Sequence, residues 1–124
     1  MNKPSSTLTP QELEIMKVVW RIGRVSVRDV YEALRERRVL AYTTVMTMMK
    51  VLERKGHLKA QREGRAHVYT AVRPQQRVLR DMVREFLNRV FNGSAEPLVQ
   101  HLVRDGRLTE SELRDIVRRL ERGN

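Results

Sequence analysis

Cysteine is absent from the 124-residue chain, which excludes both a disulfide framework and a thiolate metal site. That absence fits a reducing compartment. No apolar run approaches the roughly 20 residues that cross a bilayer as a helix. The opening MNKPSSTLTP lacks the apolar centre of a signal peptide. A cytoplasmic protein without direct membrane binding is expected. Aromatic residues are scarce at 5%, so Trp20, Phe86, Phe91 and the three tyrosines weigh heavily in packing. Hydrophobic residues reach 40%, enough for a modest core in one ordinary domain or two very small ones. A phosphate-binding glycine loop is missing. No spacing suggests a nucleophile beside its base. His57 and His67 fall on or beside a hairpin, and His101 falls within an apolar helix. All three read as packing or surface residues, so neither an enzyme nor a bound cofactor or metal is expected.

What the chain has is positive charge. The formal balance is +10 and the isoelectric point is near 11.0, which favours a polyanionic partner. A solvated basic surface would give the same total, so its distribution is the better test. Residues 1–73 hold 15 basic against 7 acidic side chains, and residues 74–124 hold 10 against 8. The excess sits in the first part. Two regions with different tasks follow, a nucleic-acid-binding domain over 1–73 and a helical region over 74–124.

Thr9-Pro10-Gln11-Glu12 reads as a helix start, with a capping threonine, a proline at the first helical position and a glutamate to close the box. Leu13, Met16, Val19 and Trp20 then recur at helical spacing up to Gly23. Ser26 and Asp29 frame a second capping box, ahead of the inner stripe Val30, Tyr31 and Leu34. A third helix runs through AYTTVMTMMKVLERKG, residues 41–56. At 100° per residue, Met48, Met49 and Leu52 fall within about 60° of Val45 and form a core stripe. Thr43, Thr47, Lys50 and Arg54 cluster within about 40° of the opposite direction, flanked by Thr44 and Met46. In HLKAQREGRAHVYTAV, Leu58 and Ala60 alternate with polar residues, as do Ala66, Val68 and Thr70. Gly64 lies between the two runs, so the segment predicts a β-hairpin with Arg62 and Arg65 at its tip.

Arg73-Pro74 breaks this pattern, and everything beyond reads as helix. The apolar sets are Val78, Leu79, Met82, Val83, Phe86, Leu87, Val90 and Phe91, then Leu98, Val99, Leu102 and Val103, then Leu113, Ile116, Val117 and Leu120. Ser94 and Thr109 are the expected caps of the last two helices. About 50 residues seldom bury such stripes within one copy, so Val78 to Phe91, Leu98, Leu102, Leu113, Ile116, Val117 and Leu120 are the expected homodimer interface.

Three helices and a basic-tipped hairpin describe a winged helix-turn-helix. The fold class is therefore mainly α, a winged helix-turn-helix DNA-binding domain followed by an all-helical dimerisation region. The third helix suits a major groove roughly 12 Å wide. Thr43, Thr44 and Thr47 can bond phosphates or base edges, and an exposed Met46 can meet a thymine methyl. Lys50 and Arg54 can hold phosphates, or a guanine edge in the case of Arg54. Lys55, Arg62 and Arg65 suit the phosphate backbone. A two-fold dimer would match a palindromic operator of double-stranded DNA. A winged-helix module for RNA or for another protein is the competing reading, and it lacks operator specificity.

LTPQELEIMKVVW, AYTTVMTMMKVLERKGHL, EGRAHVYT and FLNRVFNGS together resemble the BlaI/MecI/CopY penicillinase-repressor family, from about Leu8 to Leu120. The resemblance implies dimeric winged-helix repressors on palindromic operators. It places groove contacts at Thr43, Thr44 and Thr47, the wing at 62–69, and the dimer over 75–122. In the β-lactam branch it implies control of a β-lactamase or resistance operon, relieved when a membrane sensor protease leads to cleavage of the repressor. The family's scissile Asn-Phe pair is missing here, and His101-Leu102 occupies the corresponding place. The C-terminal cysteine pairs of copper-responsive members are also missing, so copper sensing by that route is excluded. Ala41-Tyr42 replaces the Ser-Pro that often opens the recognition helix, leaving Thr43 as the expected cap.

Overall fold

A computed structural model describes residues 8–123 of the chain. The element order is α1 (Pro10–Ile22), α2 (Val27–Leu34), α3 (Tyr42–Arg54), β1 (Leu58–Glu63), β2 (Ala66–Ala71), α4 (Gln75–Phe91), α5 (Glu96–Arg104) and α6 (Glu110–Arg122). By internal contacts the chain divides into two compact units, residues 1–82 and 83–124. The first turns of α4 thus belong to the unit that holds the hairpin.

Both expected boxes at the N-terminal helices form. The Glu12 amide donates to Thr9 Oγ1 at 3.1 Å while the Thr9 amide donates to Glu12 Oε1 at 3.0 Å. Ser26 and Asp29 exchange the same two bonds at 2.9 and 3.1 Å. Each satisfies backbone donors that a helix start leaves without partners. The α2–α3 turn is basic, because α2 ends at Leu34 and residues 35–38 lie beyond it.

The core of the first unit is one cluster. Ile15 and Val19 of α1, Val30 of α2, and Val45, Met49 and Leu52 of α3 are all completely buried. Leu58 and Tyr69 close it from the hairpin. Gly64 and Arg65 form a two-residue connection, with Gly64 at φ 61° as such a turn requires at its first position. The register pairs Ala60 with Tyr69 and Leu58 with Ala71. Cross-strand partners share a face, so the inward set on β2 is Tyr69 and Ala71. Alternation had suggested Ala66, Val68 and Thr70, which are out of phase with it by one residue. The far edge of β2 is also tied down. Val25 and Tyr69 exchange backbone bonds of 3.0 and 2.7 Å, a bridge that holds the wing against the α1–α2 loop. The Trp20 indole N–H donates to the Arg73 carbonyl at 3.0 Å, fixing the chain where it leaves the hairpin.

Val78 needs a correction. Only 2% of it is exposed and it belongs to this core, so it is spoken for within its own chain and cannot be an interface residue. Met82 also packs partly against the cluster.

The second unit is different in kind. Among its described residues not one is buried. α4 ends in Asn92 and Gly93, both at positive φ. α5 starts at Glu96 behind Ala95, which supplies no side-chain cap. Ser94 lies one residue too early for the capping role expected of it. Thr109 and Glu112 form the third reciprocal box, at α6. Thr109's amide and hydroxyl bonds hold the Glu112 carboxyl below the usual carboxylate range. Phe86 and Phe91 meet edge to face at 5.9 Å, and Phe91 meets the His101 ring at 5.8 Å. Those ring contacts do not close a core. Val83 is 53% exposed, Phe86 39% and Leu120 70%, with Val90, Ile116 and Val117 also open. Leu79 in the first unit, and Leu87, Phe91, Leu98, Leu102 and Leu113 in the second, are half-buried.

Candidate nucleic-acid interface

α3 is divided by face as its periodicity requires. Val45, Met49 and Leu52 are sealed in the core and Met48 is half-buried, while Thr43, Thr44, Thr47, Lys50 and Arg54 are exposed. Core packing on one side fixes the helix, so the other side presents a row of hydroxyls ending in two cations.

Met46 lies on neither face. It is 38% exposed and stands in the wall of a groove of about 620 Å³ between α3, the start of α2 and the wing. Tyr42, Met46 and Lys50 form one wall, spaced one helical turn apart. Val27 and Arg28 at the start of α2 also line it, and Arg65 and His67 come from the wing. Tyr42, Arg28 and His67 were not singled out as site residues by sequence. The i, i+4, i+8 spacing of Tyr42, Met46 and Lys50 was the available signal, but it mixes an aromatic, a thioether and an ammonium.

The cations are sorted. Arg24 pairs with Glu63, Arg38 with Glu14, and Arg28 and Arg35 both approach Glu32 at 3.5 and 3.6 Å. Among the described residues Lys50, Arg54, Lys59, Arg62 and Arg65 have no ion pair. Arg62 only donates to the Gly64 carbonyl at 3.2 Å, which keeps its charge available. Lys17, Arg21 and Arg37 are also unpaired, but they share a separate groove with Glu14, Glu32 and Glu36, and Arg73, Arg77 and Arg80 beyond the hairpin have no ion pair among the described residues either. The outer face of α3 and the wing therefore together present five cations without an ion pair among the described residues, where a phosphate backbone would be held.

Lys55 departs from this. Its Nζ lies 2.9 and 3.1 Å from the two carboxylate oxygens of Glu12, which is itself only 6% exposed. Expected to meet phosphate, Lys55 instead fastens the end of α3 to the start of α1. Burial alone would raise the Glu12 pKa. The Thr9 amide and the Lys55 ammonium outweigh that and hold it below the ordinary value. Burial, with the nearby Glu53 charge, pushes the Tyr69 phenol up, so it stays a neutral core side chain.

Of the histidines, His57 is buried beneath the hairpin and His67 is exposed on the wing. Among the described residues no group of histidines and carboxylates is placed to hold a metal ion, and no helix is long and apolar enough to cross a membrane.

The fold has known counterparts. The solution structure of the DNA-binding domain of the repressor BlaI covers 60% of this chain and 90% of its own length, with a TM-score of 0.54 and 32% identity. The solution structure of the Bacillus licheniformis BlaI monomeric form in complex with the blaP half-operator covers 61% of this chain and 92% of its own, with a TM-score of 0.52 and 32% identity. Among full-length relatives, the penicillinase repressor of Bacillus licheniformis is 29% identical over 114 residues, 92% of this chain and 89% of that protein. The transcriptional regulator BlaI of Mycobacterium tuberculosis is 34% identical over 116 residues, 91% of this chain and 84% of that protein. The penicillinase repressor family pattern matches residues 8–122. With that match over nearly its whole length and a winged helix-turn-helix in its first unit, the chain belongs to the penicillinase repressor family, whose members are DNA-binding transcriptional repressors and not enzymes.

Proposed function

We propose that this protein is a homodimeric, sequence-specific repressor that grips a palindromic operator with two copies of α3. The observation that carries the reading is the sorting of charge. Among the described residues the five cations of the outer α3 face and wing have no ion pair, while Arg24, Arg28, Arg35, Arg38 and Lys55 elsewhere in the unit are held by carboxylates. A relative with 32% identity is described in complex with a half-operator, which supports a DNA partner. Thr43, Thr44 and Thr47 enter the major groove. Lys50 and Arg54 meet phosphates or a guanine edge, and Arg62 and Arg65 meet the backbone. Met46 reaches the DNA from the groove wall. The helical region over 74–124, without Val78, pairs two copies, which sets the two α3 helices one DNA turn or a multiple of it apart.

The regulated genes are of the β-lactamase or antibiotic-resistance type, and release follows cleavage of the helical region by a membrane sensor protease system. His101 and Leu102 lie inside α5 and not in a loop, so cutting there requires that helix to open first.

Thr47→Ala and Arg65→Ala separate groove from backbone. Thr47→Ala is expected to weaken operator binding by about 1–3 kcal/mol and to relax preference at one base pair in each half-site. Arg65→Ala is expected to weaken operator and scrambled duplex alike and to reduce the salt slope by about 1 per wing. Gel-shift titrations giving the reverse pattern would remove α3 from the major groove.

A further inference from the structure

The recognition helix begins without the device that opens α1, α2 and α6. Ala41 is its N-cap and has no oxygen to offer, and Thr43 makes no capping bond. An alanine at that position costs about 1 kcal/mol against a capping side chain. The first turn is nevertheless where a helix in the major groove meets base edges, and there a small misplacement matters.

Aromatic packing stands in the same place. The Tyr42 ring, at the first position of α3, lies 5.5 Å from the Tyr31 ring of α2, tilted at 59°. The Arg35 guanidinium lies 5.7 Å from the Tyr31 centroid, and its 3.6 Å contact with Glu32 limits where it can swing. Such ring pairs and cation–ring contacts are comparable in strength to one lost cap. Arg35, Tyr31 and Tyr42 thus tie the end of α2 to the start of α3. Tyr42 has a second exposure, since it also lines the groove with Met46 and Lys50.

We propose that Tyr31 is a positioning residue and Tyr42 a specificity-determining residue for operator recognition. Tyr31, braced by Arg35, fixes Tyr42 and with it the first turn of α3, and Tyr42 meets the DNA from the groove wall. This rests on the DNA reading above. It adds that discrimination depends on a side chain of α2 outside the groove-lining set.

Two measurements on the full-length protein test it. In the free protein, Tyr31→Leu is expected to speed amide hydrogen exchange at Thr44 and Val45, whose N–H groups bond the Ala41 carbonyl, by about fivefold or more. Tyr31→Phe keeps the ring and should restore the wild-type rates. In DNA titrations, Tyr31→Leu and Tyr42→Leu should each lower operator affinity about five- to tenfold and leave scrambled-duplex affinity within about twofold. The double variant should lose no more than either single one. Unchanged exchange at Val45 would overturn the positioning role whatever the DNA result. Faster exchange with an unchanged operator-to-scrambled ratio would overturn the specificity role. A wild-type protein that does not discriminate between the two duplexes would sink the DNA reading itself, and with it the part assigned to Tyr42.

Discussion

Phe86→Asp is expected to leave the protein monomeric in sedimentation velocity at concentrations where the wild type is expected to sediment as the proposed dimer. Among its described residues the second unit has none buried, and Phe86 lies among the apolar side chains that it leaves open, with Val83, Val90, Ile116, Val117 and Leu120. Burying one phenylalanine contributes about 2–3 kcal/mol. A two-fold interface uses it twice, which corresponds to roughly three to four orders of magnitude in the dimer Kd. An aspartate adds the cost of desolvating a charge. The first unit should keep its melting transition, because its core contains nothing beyond Val78 and Met82. Operator affinity should fall toward that of a single half-site. An unchanged dimer would move Phe86 off the interface and leave the open face of α4 without an occupant.

Glu12→Leu is expected to be the most damaging exposed-looking substitution at the N-terminus. It removes half of the α1 capping box and leaves the Lys55 ammonium, about a third exposed, facing an apolar side chain. Losing one partner of a largely buried pair together with a cap costs about 2–4 kcal/mol, which lowers the melting temperature of so small a unit by about 10 °C or more. The ion pair also fixes a pH dependence. The folded-state pKa of Glu12 lies below the ordinary 4.5, so its contribution is fully present above that value and is lost as pH falls through the lowered one. Glu12→Gln should therefore lose less stability than the wild type between about pH 5 and pH 3. Parallel pH-dependent losses in calorimetry would show that Glu12 is not the group responsible.

Much of this was legible in the sequence because simple periodicities governed it. The two faces of α3, the caps at Thr9, Ser26 and Thr109, and the hairpin turn at Gly64 all follow from local pattern. The departures share a different cause. Lys55 looked like a phosphate ligand because its partner, Glu12, is 43 residues away along the chain. Val78 looked like part of an open stripe because the strip of core it fills comes from distant elements. Val68 and Tyr69 were confused because alternation gives two phases, and only the pairing of Tyr69 with Ala60 and its bridge to Val25 choose between them. Tyr42 escaped notice because its significance lies in a ring on α2. Local pattern located the surface, and long-range contacts decided which side chains are free to use it.

Selection of binding sites from a pool of random duplexes, repeated at rising salt, separates sequence-specific operator recognition from purely electrostatic binding. The expected result is enrichment of one two-fold symmetric site, with half-sites a helical turn or a multiple of it apart. Affinity should fall steeply with salt while the preference over unselected duplex persists. A pool that stays random, bound only through salt-sensitive contacts, would contradict operator recognition.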